Sequence, residues 1–123
     1  MARIPVSGIN DEALAIFSTD AREVISGLNP DGDGRIFYLT HISITNEHAT
    51  EGCAVELFDI AEAAAGLDAL THRATSIQIG PNATTHVDFA DGTMPFVTNC
   101  VAGKTVAVGT VAITGIHAAG YLA

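Results

Sequence analysis

Apolar and polar residues alternate with a period of two along much of this chain, and the longest such run is RIFYLTHISITN from Arg35. It places Ile36, Tyr38, Thr40, Ile42 and Ile44 on one face and Phe37, Leu39, His41, Ser43 and Thr45 on the other. Ten residues of this β-branched and aromatic content predict a long strand. NEHATEG, residues 46 to 52, is turn chemistry. CAVELFDI then predicts a second strand in which Val55 and Leu57 alternate with Glu56 and Phe58. Both of its faces are partly apolar, as in a sandwich interior or a subunit contact. The two strands are expected to pair as a hairpin with a loose loop.

Residues 61 to 75 break the alternation. Alanines there favour helix, while Gly66 opposes it by about 1 kcal/mol relative to alanine, so a loop or short helical insertion is expected. TSIQIG turns Ile77 and Ile79 inward, PNA makes a turn, and THVDFA sets Val87 and Phe89 inward against His86 and Asp88 outward. These too read as a hairpin-like pair. Asp91-Gly92 is a further turn, and Pro95 confines MPFVTNC to an edge or a strand start. The register slips at Gly109-Thr110, which predicts a short strand, then a bulge or turn, then a final strand from about Thr110 to Leu122. DEALAIFSTDAREVISG reads as strand or extended chain, because Ser18, Thr19 and Asp20 interrupt any helical stripe. The whole predicts one all-β domain over residues 1–123: an antiparallel, jelly-roll-like β-sandwich of about seven or eight short strands.

Composition supports that picture. Hydrophobic residues make up 48% and charged residues 15%, a balance that favours sheet over helix bundle. Five Lys and Arg against 14 Asp and Glu give a net charge of −9. With Arg3, Arg22, Arg35, Arg73 and Lys104 scattered, no phosphate-tracking surface is expected, so nucleic acid is excluded as a partner. Cys53 and Cys100 have no Cys-x-x-Cys spacing and read as two buried reduced thiols, with a single disulfide as the alternative. No apolar run approaches the ~20 residues needed to cross a bilayer. The opening MARIPVSGINDEALAIF lacks the continuous apolar core of a secretory signal. A protein made in the cytoplasm, with no membrane partner, is expected.

Candidate chemistry is sparse. His41, His48, His72, His86 and His117 include no pair at the strand or helix spacing that aims two imidazoles at one ion, although a cluster could assemble in space. There is no Gly-x-Ser-x-Gly, no cysteine in an electropositive setting and no phosphate loop. An enzyme is not expected, nor any cofactor. NPDGDGR, residues 29 to 35, matches the start of a calcium loop through Asn29, Asp31 and Asp33, with Gly34 at the bend. The twelfth place, however, is Thr40 instead of a bidentate glutamate. The stretch therefore reads as the turn that launches the long strand, with a loose ion site as the alternative.

The long strand RIFYLTHISITN, the strand VELFDI ending in aspartate, the Pro-Asn turn before TTHVDFADG and the last strand ending GYLA resemble, over roughly residues 35 to 123, the small β-sandwich cement proteins. These are the capsid decoration proteins of tailed bacteriophages. The resemblance implies a homotrimer on the exterior of a virion, assembled in the host cytoplasm and bound to the major capsid protein. It also implies an extended N-terminal arm over residues 1–10, with Arg3, Ile4, Pro5, Val6 and Ile9 as its capsid contacts. The chain departs from the pattern in its 61–75 insertion. A carbohydrate- or receptor-binding sandwich of a tail or fibre is the alternative; it would need an aromatic platform, and with no Trp the candidates are Tyr38 and Tyr121.

Overall fold

The computed structural model describes residues 3–10, 21–25, 28–60, 73–104 and 113–123. The described strands are β1 (Ile4–Asn10), β2 (Ala21–Glu23), β3 (Phe37–Asn46), β4 (Cys53–Asp59), β5 (Arg73–Ile79), β6 (Ala83–Asp88), the two-residue β7 (Pro95–Phe96), β8 (Cys100–Lys104) and β9 (Ile113–Leu122). One helical turn, α1 (Pro30–Asp33), precedes β3. All pairings are antiparallel. The front sheet has the order β1-β9-β3-β6 with β7 beside β3, and the back sheet the order β2-β8-β4-β5. Each step of the chain from β1 to β2, β3 to β4, β5 to β6 and β8 to β9 changes sheets. Two bent ribbons result, β1β2 against β8β9 and β3β4 against β5β6, and their interleaving is the eight-stranded jelly roll.

The two pairs expected to be hairpins are therefore cross-sheet corners. β3 pairs with β6 and β4 with β5, so residues 46–52 and 80–82 carry the chain from one sheet to the other. Asn46 stitches the corners together: it is 1% exposed, and its Nδ2 donates to the carbonyls of Glu51 (2.9 Å) and Gly80 (3.1 Å). Its Oδ1 accepts from the His48 amide at 3.0 Å, and the Asn82 amide donates to the His48 carbonyl at 2.7 Å. The His48 ring in turn accepts from the amides of Thr50 and Glu51. These bonds satisfy backbone groups that leave both sheets at the bend. Asn82 takes a positive φ of 45° there, a conformation that asparagine tolerates better than most residues.

The strict alternation expected for β3 also fails, at a bulge between Leu39 and His41. Phe37 and Leu39 are buried before it, and Ile42, Ile44 and Asn46 after it. One extra residue switches the phase, so Tyr38 does not share a face with Ile42. The inward residues of the front sheet meet Cys53, Val55, Leu57, Ile77, Ile79 and Ala102 of the back sheet in one core cluster. Ile77 and Ile79 point in as expected, and β7 begins at Pro95 as expected. β4 is buried on both faces, with Ala54, Glu56 and Phe58 as covered as Val55 and Leu57. Its two-faced apolar pattern is thus satisfied within one chain and requires no subunit contact. Cys53 and Cys100 are buried and form no disulfide. Cys100 pairs with Asp59, at the opposite end of β4 from Cys53, which separates the thiols beyond disulfide reach.

The segment read as an arm is extended, but it is hydrogen-bonded along its length as β1, from Ile4↔Leu122 to Asn10↔Ile116. The pairing covers an edge of β9 that would otherwise present bare backbone groups, and Val6 packs against the core. The 61–72 part of the expected insertion, the slip at Gly109-Thr110 and most of DEALAIFSTDAREVISG lie outside the described residues.

Candidate functional site

Asn29 immediately precedes α1, and Asp31 and Asp33 lie within it. The Asn29 side-chain oxygen accepts from the Gly32 amide at 3.2 Å, the bond of a helix N-cap. Gly34 closes the turn at φ 65°, and the Arg35 amide donates to the Pro30 carbonyl at 3.0 Å. Thr40, at the place of the missing calcium ligand, lies in β3 and donates its hydroxyl to the Ala119 carbonyl at 3.1 Å. A single helical turn, not a hairpin turn, precedes the long strand.

The chemistry that the fold does gather lies on the outer face of the front sheet. Register sets it out in rows across the strands: Pro5, Tyr121, Tyr38 and Pro95; Ser7, Ala119, His41 and Asp88; His117, Ser43 and His86 beside Ile9. His41 Nδ1 is 2.7 Å from Asp88 Oδ1, and the His41 and His86 rings stack with centroids 5.9 Å apart. Three histidines separated by up to 76 positions, His41 to His117, thus share one face. Single-strand spacing could not reveal this. The available hint was that each occupies the polar phase of its own strand. A groove of about 560 Å³ lies among them, lined by Ser7, Gly8, His41, Ser43, His117, Ala118 and Ala119. Its small floor and hydroxyl and imidazole rim suit hydrogen bonding to a polar surface. Among the described residues, no group of three or more His, Cys, Asp or Glu is arranged to hold a metal ion.

Beside this groove the N-terminal segment is clasped down. Arg3 Nη2 donates to Asp91 Oδ2 at 2.9 Å, and its guanidinium lies 4.3 Å from the centre of the Tyr121 ring. Tyr121 stacks on Tyr38 from the other side, centroids 5.1 Å apart, and donates its hydroxyl to Asp91 Oδ1. That bond and the Arg3 guanidinium hold the Asp91 carboxyl below its ordinary range, and the same Asp91 contact pushes the Tyr121 phenol up. Both faces of Tyr121 are occupied, which leaves the expected aromatic platform without a free ring there. Of the expected contact residues, Arg3, Ile4 and Pro5 are exposed, Ile4 at 43%, whereas Val6 is half-buried; Ile9 is placed only by its pairing with His117. At the same end of the sandwich, Asp59 accepts from the amides of Val97, Thr98 and Asn99, anchoring the loop after β7. Burial, with Asp59 adding to it, raises the Cys100 thiol far out of the reactive range.

Fold and surface together define a jelly-roll sandwich whose polar chemistry is spread over an open sheet face. Comparison of the chain with protein-family models, with curated proteins and with solved structures finds no match.

Proposed function

We propose that the protein is a non-enzymatic structural subunit of a phage virion, a cement protein that binds the major capsid protein on the capsid exterior. Jelly rolls serve viral capsids, lectins and cupins alike, so the fold does not select among these roles. The observation that carries the reading is the position of β1. It places Arg3, Ile4 and Pro5 at the rim of a broad outer face made of hydroxyls, imidazoles and small residues. Such a face can lie against a neighbouring protein over many weak contacts, which is how a cement subunit acts. The contact would be made by an edge strand and its adjoining sheet, with Val6 contributing to the core instead. The test is to compare particles with and without the protein under heat and low salt. The complete particles are expected to survive longer, and equal survival would remove the cementing role. A glycan array bears on the receptor-binding alternative, for which strong binding lost on Tyr38→Ala is the required result.

A further inference from the structure

The hydrogen-bond phase of the front sheet determines which backbone groups face outward at its two edges. The Phe89 amide donates to the Thr40 carbonyl at 2.8 Å, so in β6 the groups of Ala83, Thr85 and Val87 point toward β3. Those of Thr84, His86 and Asp88 then point away from the sheet. All three residues are exposed, and among the described residues no strand pairs with this edge. At the other edge, Ile36 and Ala123 exchange both backbone bonds, so Ala123 faces β3 and Leu122 faces β1. The outward positions of β1 are therefore Pro5, Ser7 and Ile9. Pro5 has no amide hydrogen to offer, which blunts that edge. β6 carries no proline, lysine or bulge across Ala83–Asp88, and the one charge on it, Asp88, is at its end.

We propose that the β6 edge pairs with the β6 edge of a second copy of this chain, antiparallel across a two-fold axis. One symmetric register uses all three outward positions. It sets His86 against His86 of the second copy, and Thr84 against Asp88 of the second copy on either side. Each carboxylate then meets a hydroxyl, whereas centring the pair on Asp88 would oppose two like charges. β5 is the edge of the back sheet and leads directly into β6, so the flanks of both sheets approach the axis. Head-to-tail pairing of β6 with β1 of the next copy loses a donor at Pro5. With each strand step turning only about 20–25°, it would also extend as an open filament instead of closing. The contact goes beyond the cement role and does not depend on it. Its two-fold symmetry differs from the three-fold association implied by the family resemblance.

Light scattering coupled to size exclusion, across a concentration series, tests this. The parent is expected to approach twice the mass of the chain. His86→Pro should return it to a single chain, because the lost amide hydrogen faces outward and the β3 ladder is untouched. Ser7→Pro, the equivalent change on the β1 edge, should leave the dimer in place. If circular dichroism shows that His86→Pro does not fold, His86→Lys replaces it, setting two ammonium groups face to face. A parent that remains a single chain, a trimer, or a dimer that a folded His86 variant fails to weaken would overturn the proposal.

Discussion

Tyr121 shows how one side chain reports its surroundings. Its hydroxyl donates to Asp91, which raises the phenol's pKa and lowers that of the carboxyl. A raised tyrosine stabilises the fold below the unfolded phenol pKa, and the contribution is lost as pH rises through the folded value. A depressed carboxyl contributes above its unfolded pKa and loses that contribution in acid. In an ultraviolet titration, one tyrosine should therefore ionise above the ordinary range, and Asp91→Asn should bring it back; a Tyr38→Phe variant that keeps the late transition assigns it to Tyr121. Gly120 is a second such point. A Cβ there would lie 2.1 Å from the Tyr38 carbonyl and 2.8 Å from the Phe37 ring, neither of which can yield cheaply. Gly120→Ala should cost about 3 kcal/mol in a urea melt, while Gly80→Ala, with open space around it, should cost far less.

Among the elements, the strands themselves were legible in the sequence, whereas their partners were not. Period two located β3, β4, β5 and β6 within a residue or two, and correctly turned Val87 in and His86 out. It carries no information on which sheet a strand joins, so two corners read as hairpin turns. The difference lies in Asn46, a polar residue in the buried phase of β3 whose three side-chain bonds hold the bend. Asn46→Ala would leave two carbonyls and an amide without those partners, and should destabilise the fold by about 2–3 kcal/mol, read from the urea midpoint. The bulge at Leu39/His41 was hinted at by the pattern, since Phe37 and Leu39 are apolar in one phase and Ile42 and Ile44 in the other. The histidine face was hidden for a different reason. It depends on the register of β3, β6 and β9, which pairing between distant segments decides.

At the scale of the whole molecule, no ion is needed to explain the NPDGDGR stretch. Asn29 caps α1 and Thr40 is committed to the sheet, so the melting temperature should be the same in calcium and in chelator. A rise with calcium that Asp31→Ala with Asp33→Ala abolishes would restore the ion site. The jelly roll has another consequence, which concerns time. β9 lies between β1 and β3, yet it is the last of the nine described strands to be synthesised. While the chain is still growing, among the described strands β1 has no partner and β3 has only β6 and β7. Closing Ile4 onto Leu122 joins positions 118 residues apart, a late and entropically costly step. Until β9 arrives, the nascent chain exposes the β1 and β3 backbone on which another strand could dock, and this interval is when a chaperone would matter most.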